Sequence, residues 1–167
     1  MSEPPGTEVW LRGPLPDVLP ELQPVAHSLL QVREEIAAAS SLSPRRLWAR
    51  PGGAASIGFH LVHLAGSLDR LLTYARGDTL NAAQRAALAA EARLDMSQSA
   101  QVLVKSALDA LDRALAQVRA TPLRTLGEAR EVGRARLPST VLGLLFHAAE
   151  HAQRHSAQII TTGKVIG

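Results

Sequence analysis

STVLGLLFHAAEHAQRHSAQIITT, residues 139–162, is the stretch on which the fold turns. Ser139 or Thr140 can accept the first free amide hydrogens of a helix, which then reaches about Thr162. Each helical residue turns about 100°. Thr140, Leu144, His147, His151, His155, Gln158 and Thr162 therefore form one narrow stripe. An apolar arc of Val141, Leu142, Leu145, Ala149, Ala152 and Ile160 lies beside and behind it. The stripe carries no carboxylate and no lysine, whereas a solvated face ordinarily mixes in both. Two imidazoles at i and i+4 can ligate one metal ion, as on the helical HExxH motif. Here the glutamate of that motif is missing, and a site needs a further ligand from elsewhere in the chain. By spacing alone the pair is 147/151 or 151/155, and a solvated face remains an alternative.

A second helix is predicted from Ala55 or Ser56 to Arg76, with Gly77 as its C-terminal stop. Its segment SIGFHLVHLAGSLDRLL, residues 56–72, sets His60 and His63 among Phe59, Leu61, Val62 and Leu64, unusual company for exposed histidine. Either one, facing the fourth helix, would complete a three-histidine site. Ser67 and Arg70 lie beyond His63 on the same face. Arg70 would hold an anionic substrate, support a ligand from behind, or simply sit at the surface. His60 reads as a ligand support, a substrate contact or a core histidine, and His27 as structural.

The other elements follow from periodicity and punctuation. Six of the ten prolines fall within the first 24 residues, so residues 1–16 are expected to be irregular, with Trp10 pinning them to the body. A first helix is expected over about Asp17–Ala39, with Val25, Leu29, Val32 and Ile36 at helical spacing. SSLSPRRLWARPGGAAS reads as a loop. Asn81 caps a short helix AAQRAALAAEA, and a third long helix spans about Ser97–Ala120, with Val102, Leu108, Leu111, Leu115 and Val118 near one face. TPLRTLGEAREVGRARLP is a connector with room for a short hairpin. Four long helices joined by modest connectors make an all-α four-helix bundle over residues 17–167.

Composition excludes several classes. No cysteine is present, so there is no disulfide frame, thiolate site or redox centre. A net charge of +3, without a Lys/Arg-rich run and with 3% aromatic residues, argues against nucleic acid. No apolar segment approaches the ~20 residues needed to span a bilayer, and no signal peptide is visible, so the expected location is cytoplasmic.

Together, GGAASIGFHLVHLAGSLDRLLTYARG (52–77) and VGRARLPSTVLGLLFHAAEHAQRHSAQI (132–159) resemble the DinB-like superfamily, also called DinB/YfiT-like, over roughly residues 50–162. His63 matches that family's ligand histidine ahead of a LDRLL-like sequence. His151 and His155 match its four-spaced pair, and Gln158 matches the glutamine that follows. Ala157 departs from the glycine often found there. The resemblance implies an up-down-down-up bundle with a metal at one end, held by His63, His151 and His155, and commonly a homodimer. Three neutral imidazoles with an open position suit zinc, nickel or iron(II). Such a cation would acidify a water or activate a thiolate co-substrate. The activities implied include thiol-dependent transfer with a low-molecular-weight thiol (bacillithiol, mycothiol or glutathione) and isomerase- or hydrolase-like reactions on small molecules. No general base is identifiable, since Glu150 and Asp69 both lie off the histidine faces. The competing readings are a metal-binding or stress-related dimer without catalysis and a purely structural helical dimer.

Overall fold

The computed structural model describes residues 7–91, 93 and 95–167. Residues 1–6 of the proline-rich segment, and Ala92 at the end of the expected short helix, lie outside the described residues. The helices are α1 (Gln23–Ile36), α2 (Pro44–Leu47), α3 (Ile57–Ala75), α4 (Ala82–Ala90), α5 (Ala100–Ala120) and α6 (Val141–Val165). The expected hairpin forms as β1 (Ala129–Val132) and β2 (Leu137–Thr140), antiparallel, with Ala129 opposite Thr140 and Val132 opposite Leu137.

Local chemistry sets most boundaries. Ser56 Oγ accepts the Phe59 amide hydrogen and starts α3. Gly77, at φ +86°, ends it. Its N–H donates to Tyr74 O, and the Asp78 N–H donates to Thr73 O, the paired bonds of a glycine-terminated helix. Asn81 and Gln84 cap α4 reciprocally. Thr140 Oγ1 accepts from Gly143 N–H at 3.0 Å and starts α6.

Several boundaries differ from the expectation. Asp17 sits at φ +59°, which no α-helix accommodates, so α1 starts only at Gln23, after a 3-10 turn at Pro20–Leu22. It ends at Ile36, where Ala37–Ser41 tighten into another 3-10 turn. α5 starts at Ala100, because the Ser99 hydroxyl, not Ser97, caps it. The segment at 43–53 contains α2 and a 3-10 turn at Pro51–Gly53. Trp10 does not pin the N-terminal segment: it is 61% exposed, while Val9 beside it is 1% exposed. The Val9 N–H donates to Gln31 Oε1 at 2.9 Å, and Arg12 donates to both carboxylate oxygens of Glu34.

α1 and α3 each pack against both α5 and α6, closing a four-helix ring around the core. Leu29, Val32, Ile36, Leu61, Leu64, Leu111 and Leu145 are fully buried there, each contributing roughly 1.5–3 kcal/mol by leaving water. Alanine carries much of the rest. α5 buries Ala107, Ala110 and Ala114 alongside Leu103, Val104, Leu111, Leu115 and Val118. Counting only its larger residues misplaces the face, and Val102 is exposed. α3 and α6 run antiparallel: His60, near the start of α3, meets His155, and His63 meets His151 one turn earlier in α6. Among the described residues no helix is long and apolar enough to cross a membrane.

Candidate metal centre

The first turns of α3 and the middle of α6 bring four imidazoles together. His63 Nε2 lies 3.1 Å from His151 Nε2, and His155 Nε2 lies 3.2 Å from the same atom. One nitrogen from each of these three histidines falls within 4.8 Å of the others. The spacing of α6 alone left 147/151 and 151/155 open, and the antiparallel register with α3 brings His151 and His155, not His147, together with His63. His147 is exposed, with its Nδ1 3.2 Å from Glu150 Oε2. Its ring centroid is 5.5 Å from that of His151, beside the cluster but outside the triad.

His60 is buried and stands behind the triad, its Nδ1 2.9 Å from His155 Nδ1. One of these two nitrogens must carry the hydrogen. If His155 presents its Nε2 lone pair to a cation, its Nδ1–H donates and His60 accepts. Phe59 stacks on His63 with ring planes 8° apart and fixes the imidazole plane. His63 Nδ1 is 2.7 Å from Glu91 Oε2, and Arg70 Nη1 donates to Glu91 Oε1 at 2.6 Å.

The remaining sequence-derived positions fall as follows. Ser67 is buried and its hydroxyl donates to the Leu64 carbonyl, one turn back on its own helix. Arg70 is nearly buried against Glu91, so it is neither a surface arginine nor free for an anion. Gln158 is exposed on α6. Glu150 pairs with Arg154 and His147 at the surface. Asp69 accepts from Gln84 and helps seat α4. His27 Nε2 is 3.0 Å from the Gly13 carbonyl oxygen, and His27 is not one of the clustered imidazoles. Sequence reasoning missed Glu91 and the stacking role of Phe59. Glu91 caps the end of an alanine-rich helix, and no local spacing ties it to His63, 28 residues away.

Burial favours the neutral form of three of the clustered imidazoles, His60, His151 and His155. Desolvation, followed by the neighbouring His151, His63 and His60, lowers the His155 pKa to about 3. Desolvation and then His63 lower both His151 and His60. Uncharged imidazole is the metal-binding form.

The donor set fits a divalent cation. Tetrahedral coordination at ~2.0–2.1 Å per nitrogen places ligand nitrogens roughly 3.3 Å apart, close to the separations of 3.1 and 3.2 Å that His151 Nε2 makes with His63 and His155. Without a cation, one hydrogen on His151 Nε2 would have to be shared between His63 Nε2 and His155 Nε2. The fit is incomplete behind His151, whose buried Nδ1 has no hydrogen-bond partner. Away from the cluster, a cleft of about 790 Å³ lies between α4 and the hairpin turn, lined in part by Tyr74, Arg85, Leu88 and Arg134 and by none of the clustered histidines.

The family model that describes the DinB superfamily matches residues 28–159, a span that contains every clustered histidine and Glu91. No curated protein matches the chain.

Proposed function

Since the chain belongs to the DinB superfamily, we propose that it binds one divalent metal ion through His63, His151 and His155 and uses an open coordination position for chemistry on a small molecule. The observation that carries this reading is the approach of three imidazole nitrogens from two antiparallel helices, at 3.1 and 3.2 Å. When bound, such a cation supplies Lewis acidity, lowering the pKa of a water or thiol brought to it. The chain's own part is to hold three uncharged donors in place. α3 and α6 fix the spacing, Phe59 fixes the His63 plane, and His60 orients His155 through Nδ1. Zinc, nickel and iron(II) all suit the donors, and a thiol-dependent transfer in a cytoplasmic homodimer is the finer form of the reading.

Metal analysis of tag-free protein tests it. Close to one divalent ion per chain is expected after dialysis. His63→Ala, His151→Ala and His155→Ala should each abolish tight binding, and His27→Ala should not. No retained metal and no uptake on titration would sink the site. Tight binding that survives His155→Ala but not His147→Ala would move the pair one turn along α6.

The alternative is metal binding without catalysis. A thiol-conjugation screen with metal-loaded protein separates the two, because turnover requires a substrate to reach the cation.

A further inference from the structure

α4 buries no residue fully, so apolar packing contributes little to its position. Polar bonds near its two ends fasten it to α3. At its start Gln84 Nε2 donates to Asp69 Oδ2 and Thr73 Oγ1, both at 2.8 Å. At its end Glu91 reaches His63 and Arg70. The Glu91 side chain is 10% exposed and Arg70 11%, so the carboxylate is removed from water together with a matching cation.

α3 is shaped to receive that carboxylate. His63, Gly66 and Arg70 share one face at helical spacing. A Cβ on Gly66 would stand 2.6 Å from Glu91 Oε1 and 2.8 Å from Arg70 Nη1, so the pair lies where a side chain would otherwise be. The two carboxylate oxygens serve different partners, since Oε1 accepts from Arg70 and Oε2 faces His63 Nδ1. An ionised carboxylate only accepts hydrogen bonds. His63 Nδ1 must therefore carry the hydrogen, and the neutral ring's lone pair is left on Nε2, the atom nearest His151.

We propose that Glu91 is a positioning residue for the metal site: docked by α4 into the Gly66 notch and paired with Arg70, it holds His63 as the Nδ1–H tautomer with Nε2 directed at the cation, which links metal binding to the docking of α4. The proposal rests on the metal reading above for its affinity consequence, and on geometry alone for the tautomer. A carboxylate behind a histidine ligand orients the ring and raises its basicity, and losing such a partner typically weakens metal binding about 10–100-fold.

The test uses the full chain with Glu91→Ala and Glu91→Gln. Imidazole tautomers are read by long-range ¹H–¹⁵N NMR on metal-free protein at pH 8. Zn²⁺ affinity is read by competition with a chelator, and α4 docking by hydrogen exchange. Wild type should show His63 protonated at Nδ1; Glu91→Ala should lose that preference, and Glu91→Gln, which keeps one acceptor oxygen but no charge, should only weaken it. Zn²⁺ affinity should fall about 10–100-fold in Glu91→Ala and less in Glu91→Gln, whose amide oxygen can still accept. Zn²⁺ should increase protection of residues 82–90 in wild type and not in Glu91→Ala. The proposal is overturned if Glu91→Ala loosens α4 yet leaves the His63 tautomer and Zn²⁺ affinity unchanged, since Glu91 is then only a fastener. A wild-type protein that takes up no Zn²⁺ defeats the metal reading and the affinity half of the proposal with it. The tautomer comparison still decides the other half. If Glu91→Ala does not fold, the near-isosteric Glu91→Gln and the wild-type tautomer decide the proposal instead.

Discussion

Replacing Gly66 with alanine should separate helix stability from metal affinity. The added Cβ would lie 2.6 Å from Glu91 Oε1, and ordinary contact begins near 3.4 Å, so the carboxylate must retreat by ~0.8 Å (3.4 − 2.6). A carboxylate displaced that far cannot keep both its 2.7 Å contact with His63 and its 2.6 Å bond from Arg70. Alanine in a helix interior is worth about 0.5–1 kcal/mol over glycine. A hydrogen bond to a charged group contributes about 1.5–3 kcal/mol. The metal-free variant should therefore be less stable by roughly 1–2 kcal/mol, a modest deficit, while Zn²⁺ affinity falls about 10–100-fold. Urea melts of metal-free protein and chelator competition give the two numbers. Unchanged Zn²⁺ affinity with intact folding would refute the notch as a requirement of the site. A Gly66→Ala protein that is more stable and equally tight would show that Glu91 retreats without consequence.

The histidine cluster should make the metal-free protein sensitive to mild acid. The folded His155 pKa, about 3, lies below the ordinary 6.5, so as pH falls the unfolded chain takes up the proton first. Stability is therefore lost from about pH 6.5 down towards the folded pKa, and this group adds no slope above that window. At pH 4.5 the loss from His155 alone is on the order of 2–3 kcal/mol. Denaturant melts from pH 7.5 to 4.5 should show it, and His155→Gln should flatten the difference; equal slopes in the two proteins would refute it. Gly58→Ala should destabilise through a different contact, since its Cβ would fall 2.5 Å from the Trp48 ring, whose bulk cannot swing aside as a chain end can. A cost of about 1–3 kcal/mol is expected, and a variant melting with wild type would show that Trp48 repacks freely.

What the sequence determined by itself is what a few neighbouring residues decide. Ser56, Asn81 and Thr140 cap their helices because each side chain reaches an amide three residues on, and Gly77 ends α3 because only its own backbone must turn left-handed. The four-residue spacing of His151 and His155 sets both on one helix face for the same local reason. Tertiary structure decided which histidines meet. Both His60 and His63 suited the sequence, and the antiparallel register of α3 on α6 sends His63 Nε2 to His151 and His60 to the back of His155. That register is set by how buried leucine and alanine faces interlock, a property of two surfaces together and of neither segment alone. The same limit hid Val102, exposed because alanines carry the buried face of α5. It hid Glu91 as well, whose meaning depends on α4 folding back so that a carboxylate 28 residues from His63 lies in the gap above Gly66.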